Sequence, residues 1–178
     1  MAGLRTASTW LRISLVMLIL AIILFVVGFA TVYWIEAEWY KHDPRLRGKS
    51  FWSYGLWEQR ICMKQNFIGC YNAKNSNQPA WFHAAQAMEC LGLICLVLAF
   101  IILILYTCVT SMRRRNPLIL AIILTFLAVA FIVIGVAIFV TKFDTIYFDV
   151  GWSLALAIAA AVCTFVSGIL SLLELCTK

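Results

Sequence analysis

The sequence predicts a mainly α-helical membrane protein: a four-helix transmembrane bundle with a small extracellular antiparallel β-sheet. Composition is the first observation. Hydrophobic residues make up 64% and charged residues 12% of the chain, whereas soluble domains are about 45–50% apolar and about 25% charged. The second observation is a set of four charge-free runs, each long enough to cross a bilayer as a helix: residues 13–35, 90–112, 116–141 and 150–173.

Each run predicts one membrane span, and residues 1–178 are predicted to form a single four-span domain. The first run is longer than the apolar region of a secretory signal peptide, which has about 7–15 residues, so it is interpreted as a span. The spans are expected near residues 11–35, 82–109, 117–141 and 150–173, and the extracellular loops near residues 36–81 and 142–149.

Both chain ends are predicted to lie in the cytoplasm. Four spans place the two ends and the Arg113–Arg115 turn on one side, and the loops at 36–81 and 142–149 on the other. Arginine-rich short loops favour the cytoplasmic side. Cys62 and Cys70 in the first loop would form a stable disulfide only on the oxidising side, which gives the same orientation.

The first loop is predicted to form strands. Aromatic and branched residues from Phe51 to Tyr71 favour β-structure, and Lys64–Asn66 is predicted to reverse the chain. Cys62 and Cys70 would then face each other across a hairpin, and a disulfide there would stabilise it by about 2–4 kcal/mol or somewhat less. Because an isolated hairpin is marginal in water, further strands and the helix ends are expected to support it.

The fourth span carries small residues at a spacing of four. Such stripes let helix backbones approach closely. Packing inside the bundle is the favoured interpretation, and a dimer face is the alternative. The two stripes are Ser153, Ala157, Ala161 and Ala160, Thr164, Gly168.

These features together resemble the claudin superfamily, which includes claudins, peripheral myelin and epithelial membrane proteins, lens fibre membrane proteins and calcium-channel gamma subunits. The resemblance implies a left-handed bundle topped by a small antiparallel sheet, with Gly-Leu-Trp seated on the helix tops. Four residues separate that motif from the first cysteine, whereas the family has two. Because strand side chains alternate between the two faces of a sheet, an insertion of two residues leaves the cysteine on the face that the family gives it. The matching residues are Trp34, Gly55, Leu56, Trp57, Cys62 and Cys70.

Two polar residues interrupt the apolar second span. Glu89 is notable because carboxyl groups inside a membrane are costly and often functional. Gln86 lies one turn above it on the same helical face, at the place where claudins tend to carry Arg. The pair is predicted to form a small polar network, with a packing role favoured over an ion site.

The sequence lacks the arrangements of acids, bases and nucleophiles that an enzyme needs. We therefore predict that the protein is not an enzyme. The chain has two histidines, no Gly-rich phosphate loop and no Cys-x-x-Cys pair, so no cofactor or metal site is expected. The net charge of +6 is attributed to topology and membrane surface rather than to nucleic acid binding. Cys108 and Cys176, near the inner face, are candidate palmitoylation sites; free thiols are the alternative.

The resemblance implies a structural role in the plasma membrane at cell–cell contacts, as a junction or adhesion protein or a paracellular barrier. Expected partners are the lipid bilayer and either further copies of the chain or other membrane proteins. The first loop holds seven basic and four acidic residues, a net +3, so a pore would prefer anions, with Arg60 and Lys64 as candidate selectivity residues. The alternatives are an auxiliary regulatory subunit of an ion channel or receptor, and a myelin-type or epithelial-type membrane organiser.

Overall fold

Four long helices and a five-stranded sheet make up the computed structural model, which describes residues 8–38, 50–63, 69–74, 78–109, 115–142 and 149–177. All four helices are long and apolar enough to cross a membrane, which confirms the predicted fold class. The helices are α1 (Thr9–Ala30), α2 (Ala80–Cys108), α3 (Arg115–Lys142) and α4 (Trp152–Cys176). The strands are β1 (Ile35–Glu38), β2 (Ser50–Tyr54), β3 (Glu58–Met63), β4 (Gly69–Lys74) and β5 (Asp149–Val150).

Apolar side chains cover the outside of the helices as well as the core. Only 28–39% of the most apolar window of each helix is buried inside the protein. Outward-facing Val16, Ile23 and Val162 are each more than half exposed. A soluble protein rarely leaves so large an apolar surface in water, so this surface is one that lipid covers.

The helices pack as two pairs, α1 against α4 and α2 against α3, and α3 also contacts α4. The small residues of α4 make the α1–α4 approach close: a Cβ added at Gly28 would meet the carbonyl oxygen of Ser153 at 2.7 Å. Both small-residue stripes of α4 are buried inside the bundle. This burial confirms the packing interpretation, and the stripes do not form an exposed dimer face.

Serine hydroxyls join the N-terminal half of α1 to the C-terminal half of α4. The Oγ atom of Ser14 lies 2.8 Å from the Oγ atoms of both Ser167 and Ser171. At the end of the same seam, the hydroxyl of Ser8 donates to the carboxylate of Glu174. Side-chain hydrogen bonds between spans fix the relative position of helices that share no hydrophobic driving force in lipid.

The first helix ends earlier than the charge-free run predicts. It stops at Ala30 rather than near residue 35, and the chain enters β1 at Ile35. The Thr31 hydroxyl donates to the carbonyl of Val27 at 2.7 Å, so a side chain satisfies one of the last helical carbonyls. Hydropathy cannot separate apolar span residues from the buried apolar residues that follow. The other spans begin and end within three residues of the predicted positions.

The sheet is antiparallel throughout and has the order β4-β3-β2-β1-β5. Four strands come from the segment between α1 and α2, and β5 is a short addition just before α4. Cys62 and Cys70 are paired across β3 and β4 and form a disulfide, as the hairpin interpretation predicts. The predicted reversal at Lys64–Asn66 lies outside the described residues.

Candidate functional site at the junction of sheet and helices

Trp34 joins the sheet to the bundle. Its side chain is completely buried, and its indole Nε1 donates to the carbonyl of Gly28 in the last turn of α1 at 2.7 Å. Its backbone N–H donates to the carbonyl of Tyr54 in β2, and its own carbonyl accepts from the N–H of Gly151 just before α4. The ring packs edge-on against Phe139 of α3 at 5.1 Å. One residue therefore connects β2 and the turn before α4 to α1 and α3.

Gly55 occupies a position where no side chain fits. A Cβ there would meet the Cα of Val32 at 2.5 Å and the carbonyl oxygen of Thr31 at 2.8 Å. Both obstacles are backbone atoms at the end of α1, which have little freedom to move. The N–H of Gly55 donates to the carbonyl of Glu58, which closes the turn between β2 and β3. The absence of a side chain lets this turn lie directly on the end of α1.

Leu56 inserts into the part of the core that lies beneath the sheet. Its side chain is fully buried in a cluster that includes Trp34, Phe82 and Leu154. The next residue, Trp57, is 40% exposed and its ring packs edge-on against Phe29 of α1 at 5.2 Å. The Gly-Leu-Trp motif thus places one side chain in the core and one on the surface of α1.

Gln86 ties α2 to this motif. Its amide Nε2 donates to the backbone carbonyl of Leu56 at 2.7 Å, and its Oε1 lies 3.0 Å from Nδ1 of His83. Both polar ends of the amide are therefore engaged above Glu89. The predicted network between Gln86 and Glu89 is not formed, because the Gln86 amide turns toward the sheet.

Glu89 is fully buried between α2 and α3. Within the part of the chain that the structure describes, neither carboxyl oxygen has a hydrogen-bond partner. The carboxyl group faces Gly135 of α3, where an added Cβ would lie 2.5 Å from Oε1. Gly135 makes the space that Glu89 occupies, a pairing that sequence reasoning did not find because the two residues are far apart in the chain.

Arg60 takes part in a second contact between sheet and helix. Its guanidinium donates to the hydroxyl of Tyr33 at 2.7 Å, and the ring of Tyr33 stacks on Trp152 at the start of α4. The side chain of Arg60 is half-buried, so it anchors β3 as well as contributing charge. Lys64, the other candidate selectivity residue, lies outside the described residues.

The backbone just before α4 packs directly against the backbone at Tyr33, as closely as Gly55 packs against the end of α1. A Cβ at Gly151 would overlap the carbonyl oxygen of Tyr33, and the N–H of Ser153 donates to that same oxygen at 3.0 Å. Sequence reasoning assigned no such role to Tyr33 or Gly151. The local signal was a glycine just before an apolar run. In β2, burial raises the pKa of the Tyr54 hydroxyl.

The remaining cysteines lie away from the sheet. Cys108 and Cys176, at the ends of α2 and α4, are exposed free thiols on the side of the bundle opposite the sheet. Among the residues that the structure describes, no group of three or more His, Cys, Asp or Glu side chains is placed to hold a metal ion.

Comparison with models of known protein families identifies the family of this chain. A search of curated proteins finds no significant match. The model of the PMP-22/EMP/MP20/Claudin family matches residues 7–171. The matched range includes every strand of the sheet, the whole of α1, α2 and α3, and all of α4 except its C-terminal end. The chain therefore belongs to the PMP-22/EMP/MP20/Claudin family of the claudin superfamily.

Proposed function

We propose that the protein acts structurally at cell–cell contacts in the plasma membrane, where its outer sheet meets a second copy of the chain on the neighbouring cell. The observation that carries this proposal is the construction of β4. Its side chains are mostly exposed, while the disulfide fixes it to β3. A rigid strand with exposed side chains binds a partner without a large entropic cost of ordering.

The anchoring of the sheet supports the same role. Trp34, Gly55 and Leu56 seat the sheet on the helix ends, so its orientation follows that of the bundle. Tyr71 in β4 is 52% exposed, and exposed Tyr is a common anchor in protein interfaces. The binding element is therefore held at a constant angle to the membrane.

The proposed orientation places both ends of the chain in the cytoplasm and the sheet outside the cell. The Cys62–Cys70 disulfide lies in the sheet, and disulfides persist on the oxidising side of the membrane. Arg115 begins α3 at the end of the bundle opposite the sheet, and Arg113 and Arg114 come directly before it in the sequence, which agrees with the preference of basic residues for the cytoplasm.

We infer a non-catalytic role with no resident cofactor. Family membership supports this inference. Glu89 has the geometry of a packing residue rather than of a catalytic group, because it lies in the interior of the bundle and contacts α3.

Imaging of mixed cells tests the proposal. A copy tagged at its cytoplasmic end is expressed in adhesion-poor cells, which are mixed with non-expressing cells. We expect enrichment at borders between two expressing cells and none at borders with a non-expressing cell. Uniform surface signal would overturn contact between copies, and co-purification of a large channel with the tagged protein would then support the auxiliary-subunit function.

If the contacts form a paracellular barrier with pores, the +3 charge of the first loop favours anions. Lys64→Glu is a sharper test than Arg60→Glu, since the latter also removes the hydrogen bond to Tyr33. We expect Lys64→Glu to lower the chloride-to-sodium permeability ratio of an expressing epithelial layer. An unchanged ratio at equal surface amount would contradict a pore lined by this loop.

A further inference from the structure

Strand β4 forms one edge of the sheet. Within the described residues it pairs with β3 alone, and five of its six residues are exposed. An unpaired strand edge offers a row of backbone donors and acceptors to another strand. Proteins protect such edges with proline or with several charges, but β4 contains no proline, and Lys74 is its one charged residue.

The hydrogen-bond pattern of β3 shows which backbone groups of β4 face this edge. The N–H of Gly55 donates to the carbonyl of Glu58 at 2.9 Å, so the backbone groups of Glu58 point toward β2. Because these groups alternate in direction along a strand, those of Cys62 also point toward β2. Cys62 opposes Cys70, and their Cα atoms are 4.2 Å apart, the short spacing of a pair without hydrogen bonds. The backbone groups of Cys70 therefore point away from β3.

The same alternation holds along the rest of β4. The backbone N–H and carbonyl groups of Asn72 and Lys74 point to the outer edge with those of Cys70, whereas those of Tyr71 and Ala73 face β3. Each outward residue presents one donor and one acceptor, and the next outward residue follows about 6.8 Å further along the strand.

These outward groups are self-complementary when two copies of β4 run antiparallel about a two-fold axis at Asn72. Asn72 then opposes Asn72 of the second copy, and Cys70 opposes Lys74 of the second copy, so every outward donor meets an acceptor. The two Lys74 residues lie about 14 Å apart, beyond the Debye length of about 8 Å at physiological salt. A register centred on Lys74 would set two ammonium groups opposite each other, which is unfavourable.

The direction of β4 determines where the second copy lies. The turn at Gly55 rests on the end of α1, and Lys74 opposes Glu58 beside that turn. Lys74 is therefore at the helix end of β4, and Gly69 lies about 17 Å further along the strand. Antiparallel pairing reverses the second strand, so its helices lie beyond Gly69. The two bundles then point in opposite directions, as they do in two facing membranes.

We propose that β4 binds β4 of a second copy on the neighbouring cell as an antiparallel strand pair centred on Asn72. This pairing rests on the proposed function, since it takes the partner to be a copy of the chain in the facing membrane. Strand addition draws its affinity from main-chain hydrogen bonds. One short strand buries little area and binds weakly, so adhesion comes from many pairs acting together at the border.

The first test applies two substitutions of Asn72 to the full chain in the mixed-cell assay. Asn72→Pro removes an outward N–H, and proline is tolerated at an edge position whose N–H faces solvent. We expect an unchanged surface amount and a loss of border enrichment. Asn72→Thr is the matched control: it also removes the side-chain hydrogen bond to Glu58 but keeps the backbone donor, so it should keep the enrichment.

The other outcomes of this assay separate the pairing from the proposed function. Enrichment retained in both variants would overturn the strand pairing and leave the proposed function intact. Loss in both would assign the contact to the Asn72 side chain and would also overturn backbone pairing. If the unsubstituted chain shows no enrichment, the proposed function itself is wrong.

Disulfide cross-linking tests the register without relying on enrichment. In the proposed pair, Tyr71 opposes Ala73 of the second copy without hydrogen bonds, at a Cα separation of about 4.5 Å that a disulfide can span. Tyr71→Cys on one cell population and Ala73→Cys on the other should form a heterodimer with an impermeant oxidant. Tyr71→Cys on both populations is the control, since its Cα atoms would lie about 8 Å apart, too far for a disulfide. The reverse result would overturn the register.

Two further measurements test the location and the partner. Both cysteine variants expressed together in isolated cells should give no cross-link, and a cross-link there would place the pairing within one membrane and overturn the proposal. Benzoylphenylalanine in place of Tyr71 adds no thiol beside Cys70. After illumination of contacting cells it should cross-link to β4 of a second copy, near Ala73. Capture of a different protein instead would overturn pairing between copies.

Discussion

The side-chain amide of Gln86 donates a hydrogen bond of 2.7 Å to the backbone carbonyl of Leu56. Leu56 is buried, and Gln86 supplies its carbonyl with a donor. The contact joins α2 to the turn that seats the sheet on α1. The position at which claudins tend to carry Arg is thus occupied by a residue that donates to the backbone of the Gly-Leu-Trp motif.

Removal of this donor should weaken the junction. We expect Gln86→Leu to lower the free energy of unfolding by about 1–3 kcal/mol, the cost of an unsatisfied buried carbonyl. Gln86→Arg is the matched control, because it keeps a donor at the same place, and it should retain most of the stability. Thermal unfolding in detergent measures both. Equal loss in the two variants would show that side-chain volume rather than the hydrogen bond matters.

The turn at Gly55 should not tolerate a methyl group. Gly55→Ala places a Cβ against backbone atoms of Val32 and Thr31, and overpacking of this kind costs about 1–3 kcal/mol or more. Gly69→Ala is the control, since a Cβ there meets nothing within 4 Å. We expect the first variant to be retained inside the cell and the second to reach the surface normally. Similar surface amounts for both, measured by surface biotinylation, would contradict this packing.

Gly135 and Glu89 should be energetically coupled. Gly135→Ala adds a Cβ that would lie 2.5–3.0 Å from Oε1, Cδ and Cγ of Glu89, and the buried side chain has little room to withdraw. The obstacle is a side chain, so Glu89→Ala should relieve it. A double-mutant cycle on thermal stability should give a coupling energy of about 1–3 kcal/mol. Additive effects would place the carboxyl group away from Gly135.

The thiols should report the orientation of the bundle. In intact cells, a membrane-impermeant maleimide should label Cys62 and Cys70 only after an impermeant reductant opens their disulfide. Cys108 and Cys176 should be labelled only after permeabilisation, and only after hydroxylamine if they are palmitoylated. Variants that retain one pair at a time assign the signals. Labelling of Cys108 in intact cells would reverse the proposed topology.

Removal of the disulfide should loosen the outer hairpin and leave the bundle intact. Cys62→Ser with Cys70→Ser is expected to destabilise the β3–β4 pair by about 2–4 kcal/mol. Limited proteolysis of intact cells should then cut the outer loop faster. An unchanged cleavage rate would mean that the cross-strand contacts alone hold β4 in place.

The sequence was informative where lipid imposes strict rules. Charge-free runs located the four spans, since an uncompensated charge in hydrocarbon is expensive. The cysteine spacing indicated the β3–β4 hairpin. The end of α1 was placed too late because Val32–Ile35 are as apolar as the span before them, although Trp34 and Ile35 are buried by the sheet. Hydropathy reports burial but does not report what covers the residue.

The long-range pairs could not be predicted from local patterns. Glu89 and Gly135 meet because α2 and α3 pack together, and Arg60 meets Tyr33 because β3 crosses above the end of α1. Gln86 was singled out correctly as a polar residue in a span, but its partner was assigned to Glu89 rather than to Leu56. Helical spacing identifies neighbours on the same helix only, and the sheet offered Gln86 a backbone carbonyl.

The most direct test of the account is the border enrichment of Tyr71→Arg. Tyr71 is exposed on β4, so the substitution should leave folding and surface amount unchanged, with Trp10→Arg at the opposite end of the bundle as the control for an exposed aromatic residue. In mixed-cell imaging we expect Tyr71→Arg to lose enrichment at borders between expressing cells while the control keeps it. Undiminished enrichment of Tyr71→Arg at equal surface amount would show that β4 does not carry the contact.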